Sequence, residues 1–167
     1  MTKAQSAARS DVIKTRIPPA TLSVVASILL LLSFVLKQLF VPAAGPVPAM
    51  TLDFGDLQDL IGSRLIPTTG FQEAYFNWLA WTLAIFAIGL TLASSVLGNK
   101  PTALLAGVVG VLGFVSSVIG NKGPLSWTEF VDQLPNLRIG AYCNLIGFIV
   151  VISAALLAAR RTNGRRP

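Results

Sequence analysis

Four long apolar runs divide the chain, and the stretches between the first and second and between the third and fourth carry apolar residues at helical spacing. A helix needs about 20 residues to cross the ~30 Å hydrocarbon core of a bilayer. The runs near 20–41, 74–97, 102–120 and 139–159 meet that length. The first is almost wholly Leu, Ile, Val and Phe, without a charge until Lys37, and is expected to be the most lipid-facing. The third is rich in small residues, Ala103, Gly107, Gly110, Gly113 and Ser117, which permit close backbone approach in lipid. The second carries Ala80, Ala84, Ala87, Thr91 and Ser94 along one side, so these two helices, joined by a short turn at Asn99–Pro101, are expected to pack tightly. No strand is predicted.

The intervening stretches repeat. Leu52-Asp53-Phe54-Gly55-Asp56-Leu57-Gln58-Asp59-Leu60-Ile61 aligns without a gap to Leu125-Ser126-Trp127-Thr128-Glu129-Phe130-Val131-Asp132-Gln133-Leu134. Further on, Ala74-Tyr75-Phe76-Asn77 matches Ala141-Tyr142-Cys143-Asn144, and Phe34-Val35 matches Phe114-Val115 in the third run. The order of these matches points to duplication of one helix–amphipath–helix unit, with repeat 1 near 20–97 and repeat 2 near 102–159. Each unit contains two spans, so the copies run the same way through the membrane, related by a pseudo-twofold axis along its normal.

In the repeated segment, Asp53 and Ser126 are good N-cap residues, with Asp56 and Glu129 three positions later. A capping box satisfies two orphan amides at once; Ser126-x-x-Glu129 is the full form and Asp53-x-x-Asp56 a weaker one. Each box is expected to start a short helix outside the membrane. Phe54, Leu57 and Ile61 share one face of the first, and Trp127, Phe130 and Leu134 one face of the second, as in interfacial helices lying apolar side down. Gly62 and Pro135 are expected to end them. Gly98-Asn99-Lys100 and Gly120-Asn121-Lys122 resemble each other and are expected to be helix stops, Gly suiting the C′ position and a cation the dipole.

Composition agrees with a membrane chain. Of 167 residues, 53% are hydrophobic and 12% charged, and mean hydropathy is +0.70, whereas a soluble domain carries about 25% charged residues. The formal net charge of +6 sits mainly at the chain ends rather than on one face, which speaks against nucleic acid as a partner. With the N-terminus inside, nine Lys and Arg are cytoplasmic (Lys3, Arg9, Lys14, Arg16, Lys100, Arg160, Arg161, Arg165 and Arg166) and four are outside (Lys37, Arg64, Lys122 and Arg138). That bias places both basic tails, 1–19 and 160–167, in the cytoplasm of a cell whose plasma (inner) membrane holds the chain. The first run also resembles a secretory signal ending at Val41-Pro42-Ala43 or Val47-Pro48-Ala49, but it is longer than the 7–15 residues of such a core.

Candidate chemistry is sparse. The chain has no His and one Cys, Cys143. Intramolecular disulfides, Cys/His metal sites and Ser–His or Cys–His nucleophiles are excluded by count alone. Neither a cofactor nor a metal is expected, and Asp53, Asp56, Glu129 and Asp132 are explained by capping and solvation without a catalytic role. Asn77 and Asn144 occupy matching places just inside the outer interface, each two residues after a Tyr. Tyr75, Asn77, Tyr142 and Asn144 therefore form the candidate polar site, either as an inter-repeat hydrogen-bonded contact or as a paired site open to the outer face. No acid, Lys, Arg or His lies at mid-membrane, where proton pumps, ion-coupled transporters and voltage sensors usually carry one.

The sequence thus predicts an all-α integral membrane protein, a four-transmembrane-helix bundle with both termini cytoplasmic. Its expected role is a non-enzymatic accessory, assembly or scaffold subunit of a larger membrane complex, in contact with lipid and with other subunits or further copies of itself. The rival expectation is a small-molecule transporter or channel, working as an oligomer through the Tyr/Asn positions.

Overall fold

The computed structural model describes residues 18–45, 48–64 and 66–163. The charged tail residues Lys3, Arg9, Asp11, Lys14, Arg16, Arg165 and Arg166, and Val47 of one candidate cleavage site, lie outside the described residues.

The chain is mostly helical, and three of its helices are long and apolar enough to cross a membrane. These are α3 (Gly70–Leu97), α4 (Lys100–Lys122) and α6 (Ile139–Asn163, of which Ile139–Arg161 is the candidate span). A fourth apolar helix, α1 (Pro19–Val35), is shorter at 17 residues. Two short helices, α2 (Phe54–Gly62) and α5 (Trp127–Gln133), occupy the two amphipathic segments. A single 3₁₀ turn, Leu134–Asn136, follows α5 at Pro135.

The first apolar run does not stay helical to residue 41. Leu36 turns extended, with ψ 154°, and Leu39–Val41 forms strand β1, paired antiparallel with β2 (Met50–Leu52). Partners are Leu39 with Leu52, Phe40 with Thr51 and Val41 with Met50. Hydropathy does not distinguish an apolar helix from a short apolar strand. Three local features make the difference here. Aromatic and β-branched residues favour the pleat, Pro42 disfavours a helical residue before it, and the Gln38 amide donates to the Leu52 carbonyl at 2.7 Å. The same segment receives the chain after α5: Arg138 N–H donates to Gln38 O and Gly140 N–H to Lys37 O, both at 2.8 Å.

The apolar helices neighbour one another in the cyclic order α1, α3, α4, α6. Each adjacent pair is antiparallel, as shown by contacts at both ends. Phe34 stacks on Trp81 near one end of the α1–α3 pair, with ring centroids 3.6 Å apart, while Ser23 meets Ser95 near the other at 2.7 Å. The small face of α4 does meet α3, where Tyr75 covers Gly120. Its closest approach, however, is to α6: a Cβ at Gly113 would lie 2.1 Å from the Phe148 ring. Helix α1 is less lipid-facing than its composition implies. It buries Ser23, Ala26, Leu30, Ser33 and Phe34, and Leu30 fills the space over Gly147 of α6.

Only one of the two Gly-Asn-Lys segments stops a helix. Gly98 takes the left-handed conformation at φ 61°, and Asn99 then caps α4 by accepting from Thr102 N–H at 2.9 Å. The second lies inside α4, which continues to Lys122 and ends at Gly123. Gly120 serves packing, because its missing side chain admits Tyr75.

Candidate functional site

Helix α2 begins at a complete capping box, with Asp56 N–H donating to Asp53 Oδ1 and Asp53 N–H to Asp56 Oδ2, both 2.9 Å. Helix α5 begins at the matching box, in which Ser126 N–H donates to Glu129 Oε2 at 2.7 Å and Glu129 N–H to Ser126 Oγ at 3.3 Å. The apolar faces meet different fates. Phe54, Leu57 and Ile61 of α2 are buried in a cluster with Phe34, Phe76, Ala80 and Ala84, so this helix docks on protein rather than resting on lipid. Of the corresponding face of α5 only Phe130 is buried; Trp127 remains exposed, with the Lys122 ammonium 5.3 Å from its ring centroid.

The carboxylates of the first box hold a second partner. Lys37 Nζ lies 2.9 Å from Asp53 Oδ2 and 3.2 Å from Asp56 Oδ2. The hydrogen bond from Lys37 and that from the Asp56 amide favour ionised Asp53 and keep its pKa below the usual carboxylate value, while the two acids raise that of Lys37. Backbone and hydroxyl hydrogen bonds from Ser126 lower Glu129 in the same way. These groups cap and pair; among the described residues no cluster of His, Cys, Asp and Glu could hold a metal ion.

The candidate Tyr and Asn residues are not paired as the repeat implies. Asn77 is exposed on the outside of α3, and Tyr142 is exposed on α6, its hydroxyl donating to the Leu134 carbonyl at 3.2 Å. Tyr75 and Asn144 are buried together. The cause is local: Tyr75–Leu79 form a π-helical turn, closed by Ala80 N–H to Tyr75 O. One extra residue per turn shifts the helix face, so Tyr75 and Phe76 both point inward and Asn77 and Trp78 outward.

Two serines complete the site. Tyr75 OH lies 3.0 Å from Ser117 Oγ and 3.4 Å from Asn144 Oδ1, and Ser117 Oγ is in turn 2.5 Å from Asn144 Oδ1. Asn144 Nδ2 donates to Ser33 Oγ at 3.2 Å, and the Ser33 hydroxyl donates to the Leu30 carbonyl at 2.7 Å. Gln38 Nε2 donates to the Ser33 carbonyl. Donation runs from Tyr75 to Ser117 and from Asn144 to Ser33 to backbone, while the one Ser117 proton is shared between Asn144 Oδ1 and the Gly113 carbonyl, 2.8 Å away. Bonds aligned in this way polarise one another. The chain takes one side chain from each of α1, α3, α4 and α6, all at most 3% exposed. The sequence marks Ser117 only as a small packing residue and does not mark Ser33, because a hydroxyl in an apolar helix commonly bonds its own preceding turn. Their sequence signal was faint: each is a polar residue in an apolar run, near the end shared with Tyr75 and Asn144.

Hydroxyls and an amide can tie helices together or carry a hydrogen-bonded relay, but none of them is charged near neutral pH. A smaller polar group lies toward the opposite end, where Ser23 of α1 bonds Ser95 Oγ at 2.7 Å and lies 3.3 Å from the Thr91 carbonyl of α3. Comparison of the chain with family models, with curated proteins and with solved structures finds no match in any of the three.

Proposed function

We propose that the protein is a non-enzymatic accessory, assembly or scaffold subunit of a larger complex in the plasma membrane. It crosses the bilayer four times, with both termini in the cytoplasm, as two parallel repeats of a helix–amphipath–helix unit. The observation carrying this reading is the opposite placement of the two matched asparagines. Asn144 is consumed in a bond network tying all four apolar helices, whereas Asn77 faces outward beside Trp78 and Trp81 on α3. An amide facing hydrocarbon gains from a hydrogen-bonding partner on a neighbouring helix. That favours another subunit against this face of α3.

The interior supports the same reading. Phe148 fills the space above Gly113 and Leu30 that above Gly147, so the side chains facing the axis pack rather than line a path. The π turn at Tyr75–Leu79 favours the second reading, an oligomeric small-molecule transporter or channel, because such turns recur at functional sites. Purification from native membranes in gentle detergent, with mass spectrometry, separates the two. A stoichiometric larger membrane partner is expected, and its loss in Asn77→Leu would place it on α3. A lone homo-oligomer would overturn the subunit reading.

A further inference from the structure

At the end of the molecule carrying α2 and α5 there is a cleft of about 400 Å³ between these two short helices, within the ~300–1,000 Å³ range of small-molecule sites. Its wall is mainly apolar, with Leu57 and Ile61 from α2, Phe130 from α5 and Phe76 from α3. Four lining residues are polar, Gln72, Asn121, Lys122 and Gln133, and two of them bear on the choice of ligand. Among the described residues of the wall, Lys122, at the end of α4, is the only charged one. Gln72, near the start of α3, presents a buried Oε1 that has no hydrogen-bond partner among the described residues.

These features select an occupant. An apolar wall suits an acyl chain, and a single cation suits one phosphate. A buried amide oxygen accepts but cannot donate, so it needs a hydroxyl or amine, and leaving it unmet is costly. A choline headgroup offers no such donor, and any zwitterionic headgroup, an ethanolamine included, brings a second cation beside Lys122. We propose that the cleft binds an anionic phospholipid whose headgroup carries a free hydroxyl, of the phosphatidylglycerol type. The phosphate lies at Lys122, the Gln72 side chain turns its buried Oε1 from Gly123 toward the headgroup hydroxyl, which donates to it, and the upper acyl chain lies against Leu57, Phe76 and Phe130. Trp127 steadies the ammonium from the side, and Glu129, which the Lys122 charge reaches, does not line the cleft. The inference rests on the three span-length helices, which place Lys122 and Gln72 at span ends where headgroups lie; it does not depend on the subunit reading.

Native mass spectrometry of the full chain in neutral detergent, with added phosphatidylglycerol, phosphatidylcholine or phosphatidylmethanol, tests it. Phosphatidylmethanol is anionic but has no headgroup hydroxyl. Wild-type protein is expected to bind phosphatidylglycerol about fivefold more tightly than phosphatidylcholine, the value of one cation–anion contact near a membrane surface. Lys122→Gln should abolish that preference and Lys122→Arg retain it. Gln72→Leu should bind phosphatidylglycerol and phosphatidylmethanol alike while still preferring both to phosphatidylcholine. Equal binding of all three lipids to wild type, or an unchanged preference in Lys122→Gln, would overturn the proposal. So would a photo-crosslinking residue at Leu60 that captures a polypeptide instead of lipid.

Discussion

The side-chain amide of Asn144 donates to the hydroxyl of Ser33 at 3.2 Å, joining the last apolar helix to the first across 111 positions of sequence. The same Asn144 accepts from Ser117 on α4, with Tyr75 of α3 within 3.4 Å, so one residue meets all three neighbouring apolar helices. Replacing it strands several buried groups at once. Asn144→Leu is expected to destabilise the protein by about 1–3 kcal/mol, the cost of unmet buried polar groups, above the ~0.6 kcal/mol average of a single bond between membrane helices. Asn77→Leu, at an exposed position, should leave the isolated chain unchanged. Thermal unfolding in detergent compares them; equal losses would contradict the placement of the two residues.

Gly113 and Phe148 make a second test. A Cβ at Gly113 would lie within 2.1–2.5 Å of three ring atoms, so Gly113→Ala requires the ring to move. The expected cost is about 1–3 kcal/mol, typical of overpacking. Gly107→Ala, where the nearest atom is 3.5 Å away, should be close to neutral. Pairing Gly113→Ala with Phe148→Leu should recover part of the loss, which a double-mutant cycle reads directly.

The Lys37–Asp53 pair predicts a pH dependence of defined sign. Asp53 is lowered in the folded state, so its stabilisation is present above the unfolded value, about pH 4, and fades as pH falls through the folded value. Lys37 is raised, so its share is complete below about pH 10 and fades as pH rises through the folded value. Between these limits the contribution is flat. Asp53→Asn keeps a good N-cap but loses the charge, and should weaken the acid limb for α2 without unfolding it near neutrality. Both groups are partly exposed, so the effect should shrink in high salt.

Membrane topology can be read with single cysteines in a Cys143→Ser background. Ser63→Cys and Thr128→Cys should react with an impermeant maleimide from outside the cell, and Asn99→Cys only after permeabilisation. A fluorescent protein fused to the N-terminus should report the cytoplasm. Helix α1 has 17 residues, ~26 Å at 1.5 Å per residue, slightly less than ~30 Å of hydrocarbon. An N-terminus on the same side as Ser63 would show that α1 does not cross, leaving three spans.

Much of the architecture was written in composition and period. The apolar runs containing α3, α4 and α6 are long and almost free of charge, and only helices satisfy their own backbone in hydrocarbon. The starts of α2 and α5 were equally visible, because a capping box is a contact between residues three apart. The strand at Leu39–Val41 was not visible, since an apolar run carries no sign of the hydrogen bonds that Leu52 and Leu137 offer from elsewhere. The pairing of the polar residues was hidden for a related reason. The sequence match sets Asn77 beside Asn144, yet a π turn beginning at Tyr75 directs one out and leaves the other in. Hydrophobicity and capping are local and therefore belong to the sequence. Which hydroxyl meets which amide depends on helix rotation, and Tyr75, Asn144, Ser117 and Ser33 became one group only when four helices packed around them.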